Sequence, residues 1–200
     1  MAALFAQSLQ RHLRWWLASL WPGQHPGAPL GLRRLLFLLL GYPAFLALQL
    51  VHWLGLLCDE CFFRGYRRVE LQEPLFVLGI PRSGTTFLHR HLALDRERYT
   101  AFSTWEAVLA PSVTERRCLR AAAALDRACG RPLRRLTDGV LRRLAGSLEK
   151  IHAVDLAAPE EDYLAMLPAG SCFILLLAFP FSRELRALGH LSTLSPSERQ

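Results

Sequence analysis

No disulfide framework can be drawn from this sequence. Its five cysteines, Cys58, Cys61, Cys118, Cys129 and Cys172, are odd in number and scattered. That excludes a small secreted disulfide scaffold and fits a reducing compartment. Cys58-Asp-Glu-Cys61 is a lone C-x-x-C, without a second pair or a suitably spaced pair of histidines. It reads as two small thiols on an apolar helix rather than as a zinc or redox motif. Internal repeats and long low-complexity tracts are also missing. Acid is in short supply: 17 Asp and Glu stand against 24 Lys and Arg, for a formal net charge of +7 carried mainly by Arg. A basic balance favours an anionic partner such as phosphate, sulfate or a lipid headgroup. The basic helices have no aromatics interleaved with their arginines, so the chain lacks the stacking platform of a nucleic-acid binder.

What the chain has is apolar surface, 52% of its 200 residues. The length suits one domain with an appendage. Residues 1–21 carry a helical pattern, with Leu4, Phe5, Leu9, Leu13, Trp16, Leu17 and Leu20 on a broad face. Arg11 and Arg14 interrupt any signal-peptide core, and Trp15, Trp16 and Trp21 suit either a membrane interface or a packed helix. Pro22, Pro26 and Pro29 mark a linker, which closes an N-terminal region of residues 1–34. Residues 35–58 then run without a formal charge, long enough for a bilayer core of about 30 Å. This segment is read as a single spanning helix or as a buried or hairpin-like membrane-associated one; it lacks the strongly charged face of an in-plane helix. Gly41-Tyr42-Pro43 predicts a break or kink. Gln49 and His52, three apart, predict a face turned to protein. Arginines flank both ends (Arg33 and Arg34; Arg64, Arg67 and Arg68), so the side on which the rest of the chain lies stays open. Without a membrane the chain is expected to be cytoplasmic.

A globular α/β domain is expected over residues 73–200. Leu75–Ile80 reads as a buried parallel strand, Thr85 to Leu94 as the helix after it, and the polar turn between them as a cradle for an anion. Gly79 and Gly84 have the spacing of the nucleotide-binding G-x-x-x-x-G-K-[ST] loop, but Thr85 stands where its Lys belongs and the cation, Arg82, precedes the second Gly. Trp105–Leu109 is a short apolar stretch ended by Pro111, and further helices are predicted at residues 113–129 and 132–150, with a helix start at Pro159-Glu-Glu-Asp162. The run Phe173–Ala178 is ambiguous by periodicity, with helix preferred.

The run PLFVLGIPRSGTTFLHRHLALD (74–95) resembles the 5′-phosphosulfate-binding loop region of sulfotransferases, in particular the bacterial-type sulfotransferase family 3. TWEA at 104–107, EKIHAVDLAAPEEDYL at 149–164 and the apolar segment running into LCDECFFRGYRRVE are similar to that family too. The resemblance implies a P-loop-like parallel sheet core with helices, preceded by hydrophobic N-terminal helices. It implies 3′-phosphoadenosine 5′-phosphosulfate as sulfuryl donor, a hydroxyl or amine acceptor (a small molecule, lipid or glycan) and no metal. Ser83, Gly84, Thr85 and Thr86 would hold the 5′-phosphate, and Arg82 would stabilise charge on the leaving group. Glu106 is the first candidate for general base and His152 the second, its ordinary pKa being suited to the task. The 3′-phosphate-binding Arg and Ser of the family have no counterpart after Phe173, so an incomplete, C-terminally truncated sheet is expected. Two alternatives stand beside this reading: a degenerate P-loop kinase or NTPase, and a non-catalytic, membrane-anchored fragment with a vestigial loop.

Overall fold

The computed structural model describes residues 1–21, 28–70, 72–77, 79, 83–135 and 158–187. They fall into two compact units, one of residues 1–57 with the chain from Asp162 onward, the other of residues 58–161.

The first unit is built on two long helices. Helix α1 (Ala2–Leu20) buries Ser8, His12, Trp15 and Ser19, spaced four, three and four apart, along one face. The next begins as α2 (Leu32–Leu36), passes through a π-helical turn (Phe37–Gly41) and continues as α3 (Tyr42–Phe62). At Gly41-Tyr42-Pro43, where a break or kink is expected, the helix does not end but departs from regular α geometry in the π-helical turn. Proline at position 43 has no N–H and its ring crowds the carbonyl four residues back. The wider π turn absorbs that conflict, with Tyr42 N–H donating to Phe37 O. The result is one continuous helix over Leu32–Phe62, long and apolar enough to cross a membrane.

The two helices run antiparallel. Phe5 meets Trp53 at 5.5 Å between ring centroids, His12 meets Phe45 at 5.9 Å, and Trp16 Nε1 donates to Leu38 O at 2.8 Å. The returning segment 162–187 covers both with two 3-10 turns (Asp162–Met166 and Phe173–Leu177) and the short α7 (Arg183–Ala187). Pro168 O accepts from Ser8 Oγ and from Trp53 Nε1, and Ala178 O accepts from Arg34. Phe179 seats between Tyr42 and Trp15, at 4.9 and 5.8 Å. Trp15, Leu38, Tyr42, Cys172, Leu175, Phe179 and Leu185 form the core. Each large side chain so buried contributes on the order of 1.5–3 kcal/mol.

The second unit is helical as well. Helices α4 (Thr85–Leu92), α5 (Thr104–Leu109) and α6 (Val113–Ala128) follow one another, and residues 132–135 open a further helix. The rest of the helix expected over 132–150 lies outside the described residues. Buried Asp59 accepts from Val113 N (2.6 Å) and from Thr114 N and Oγ1 (2.7 and 2.6 Å), placing a carboxylate on the donor end of α6. Asp126 does the same for Leu133 and Arg134.

The expected parallel-sheet core is not there: among the described residues no strand forms, and the single bridge joins Ser103 and Pro159. Residues 74–77 and 79 have no regular structure, and Leu75 and Phe76 are exposed. A strand apolar on both faces holds only when neighbouring strands take its backbone groups and helices cover its faces. Among the described residues neither is supplied.

Candidate functional site

Gly79 lies close against the residues that open α4. A Cβ on Gly79 would overlap Thr85 Cγ2 and stand 2.5 Å from Ser83 Oγ, so the backbone at 79 lies directly against two of the expected phosphate-binding side chains. Gly84, at φ 88°, is left-handed and forms the N-cap of α4. Glycine at the N-cap supplies no side-chain cap. Helices α5 and α6 each begin with a complete capping box, Ser103 with Glu106 and Ser112 with Glu115. The first backbone N–H groups of α4 therefore receive no bond from an N-cap side chain. Ser83 and Thr86 are exposed there, and Thr85 is half-buried. Arg82 and Pro81 lie outside the described residues. Of the two histidines on α4, His91 turns back on its own helix, with Nδ1 2.8 Å from Phe87 O.

Glu106 sits in a different electrostatic setting. Its Oε2 accepts from Ser103 N (3.1 Å) and Ser103 Oγ (2.7 Å). Its Oε1 has only long ion pairs, to Arg120 at 3.6 Å and Arg116 at 3.8 Å. Burial pushes the carboxyl upward, but the Ser103 hydroxyl and N–H and the two guanidiniums outweigh it, and the net shift is below the ordinary carboxylate range. Arg116 is fixed in turn by the Ala110 and Pro111 carbonyls and lies over the Phe102 ring, while Arg120 lies over Trp105. The Arg-rich face of α6 reads from sequence as solvated. In the structure, two of its arginines, one helical turn apart, converge on Glu106. The S-x-x-E spacing of a capping box was the available signal for Glu106.

The TWEA and PEED stretches meet. Thr104 N donates to Ala158 O at 3.1 Å, Glu160 N to Phe102 O at 2.7 Å, and Thr104 Oγ1 to Glu160 Oε2 at 3.1 Å. Beside this junction a cleft of about 320 Å³ is lined by Arg96, Tyr99, Phe102, Ser103 and Pro159 among others. His152 lies outside the described residues. Among the described residues no group of three His, Cys, Asp or Glu gathers to hold a metal.

Comparison with known proteins gives one match. A family profile described as "Sulfotransferase family" covers residues 74–185. No curated protein and no solved structure matches the chain. The matched span covers more than half of the 200 residues and takes in the glycine-tight turn, the Ser103–Glu106 cap and the Thr104–Glu160 junction. The chain belongs to the sulfotransferase family.

Proposed function

We propose that the chain transfers a sulfuryl group from 3′-phosphoadenosine 5′-phosphosulfate to a hydroxyl or amine acceptor, and that the turn at residues 82–86 takes the 5′-phosphosulfate. The observation that carries this reading is the turn itself: Gly79 packed against Ser83 and Thr85, left-handed Gly84, and an α4 N-terminus without a side-chain cap. Such an end presents backbone donors and a positive dipole to an anion. In the proposal the acceptor oxygen or nitrogen attacks sulfur, the bond from sulfur to the bridging oxygen breaks, and adenosine 3′,5′-bisphosphate leaves. The N–H groups of Gly84, Thr85 and Thr86, with the hydroxyls of Ser83, Thr85 and Thr86, hold the 5′-phosphate, and Arg82 balances the charge growing on the leaving oxygen.

The acceptor's proton goes to Glu106. Its lowered pKa keeps it ionised at neutral pH, and Oε1 has lone pairs that no close donor takes. His152 is the second candidate for that role.

A thermal-shift titration with adenosine 3′,5′-bisphosphate, without metal, tests the turn. At 100 times its dissociation constant a ligand adds roughly 2.7 kcal/mol. Gly79→Ala should abolish the shift, since the new methyl displaces Ser83 and Thr85, and so should Arg82→Ala. A shift with magnesium ATP and none with the bisphosphate would overturn the donor assignment.

A further inference from the structure

The helix over Leu32–Phe62 buries Gln49 and His52 together with Leu38 and Trp53 on its protected side and leaves its open side apolar. Its buried positions include Tyr42, Gln49, His52 and Trp53. Its exposed positions, at the complementary three-and-four spacing, are Leu36, Leu39, Leu40, Leu50, Val51, Leu54 and Leu57, with Leu40 and Leu54 at 68% and 62% exposure. A water-facing helix would carry charged or polar residues on its open side. The open face of α1 adds Leu13 and Leu17 and a shallow groove lined by Phe5 and Leu9, with Gln10 and Arg14 beside them.

Both arginines of α1 turn to the 162–187 segment, Arg11 to Ser171 Oγ and Arg14 to Glu184. Arg34 turns there too, to Ala178 O. That segment and α1 lie alongside the long helix from Arg34 to Trp53. A helix crossing a bilayer in this packing would carry Arg11, Arg14 and Glu184 into hydrocarbon with it, which is costly.

We propose that residues 1–57 and 162–187 form a monotopic membrane module. The long helix lies in the plane of one leaflet, its leucine face among the acyl chains, and α1 and the 162–187 segment supply the polar side that the helix itself lacks. Lipid fits this face better than a protein does. The charge-free stretch, residues 35–58, extends about 36 Å without one exposed ionic group, whereas protein interfaces carry a polar rim. Arg33 at one end and Arg64 and Arg68 just past the other match anionic headgroups, while Arg67 is taken by Glu60.

The test adds the purified chain to preformed vesicles of phosphatidylcholine, with and without phosphatidylglycerol. Cys58, Cys118 and Cys129 are replaced by Ala. Exposed Cys61 reports one end of the helix, and Gly31→Cys the other, where a Cβ meets nothing within 4 Å. The chain should float with the vesicles, more so with the anionic lipid. A membrane-impermeant maleimide should then label both cysteines as completely as it does in detergent. Protection of one end would mean a spanning helix and overturn the proposal. Failure to float, with the chain sedimenting as an oligomer, would mean that a second copy covers the face and would overturn it as well. Leu50→Glu with Leu54→Glu, both at exposed positions, should keep the helical circular dichroism and lower vesicle partition about a hundredfold or more. Unchanged partition would also refute the assignment.

Discussion

Replacing Glu106 separates its capping role from the catalytic role proposed for it. Gln can still accept from Ser103 N–H, because a capping box works with Glu or Gln at its third position. Glu106→Gln therefore loses only the charge, and with it two ion pairs of 3.6 and 3.8 Å whose arginines are 68% and 25% exposed. Pairs of that kind contribute at most about 1 kcal/mol. Glu106→Ala loses both Ser103 contacts and leaves a half-buried N–H without a partner, for about 1–2 kcal/mol more. Urea denaturation followed by circular dichroism should rank the three proteins as wild type, Gln, then Ala. A Gln variant as unstable as the Ala variant would refute the capping argument. The pH dependence adds a control. The folded carboxyl titrates below its unfolded value of 4.5, so its stabilisation is present above that value and lost as pH falls through the folded pKa. The Gln variant should lack that part of the acid loss. Sulfuryl transfer measured on the same stable Gln protein should fall by about 10²–10⁴ if Glu106 takes the acceptor's proton. An unchanged rate would move the role to His152.

Two further outcomes follow from the first unit. Burial lowers the His12 pKa from 6.5 to about 4, with the Leu167 carbonyl opposing and Arg11 reinforcing the shift. Between those values the unfolded chain binds the proton and the folded one does not, so stability should drop by about 3 kcal/mol as pH falls from 6.5 to 4. A urea midpoint that stays level across that range would contradict a neutral, buried His12. Phe179→Ala empties a fully buried site between Trp15 and Tyr42 and should cost about 3–5 kcal/mol by the same denaturation assay. A loss under 1 kcal/mol would mean that the 162–187 segment does not pack as described.

Local features were the legible ones. Helices α4 and α6 start where composition and spacing put them, and the three-residue separation of Gln49 and His52 correctly turned both inward. The need for a tight backbone at Gly79 and Gly84 was readable from their place in the motif. What sequence reading missed depends on partners far along the chain. Leu75–Ile80 has the composition of a strand, but strand formation needs neighbours that composition does not reveal. The arginines of α6 looked solvated because Glu106, the group that collects two of them, precedes the helix in another element. Pro43 looked like a breaker because a π turn, which costs one residue of register, leaves no mark in a hydropathy pattern. Arg82 and His152, two of the three proposed catalytic residues, lie outside the described residues, so their roles rest on the resemblance and on chemistry.

The π turn at Phe37–Gly41 acts as an angular spacer. One residue advances an α-helix by about 100°, and a π turn is equivalent to one residue inserted into regular helix. It sets the phase between Leu38, which enters the core before the turn, and Gln49, His52 and Trp53, which are buried after it. Deleting a residue such as Gly41 would leave an unremarkable straight helix of nearly the same hydrophobicity. It would also swing its second half by more than a quarter turn, carrying the amide and the imidazole toward the leucine side and leucines into the core. A homologous chain one residue shorter at this point, with no compensating change downstream, would be expected to have lost this packing even though its hydropathy profile looked the same.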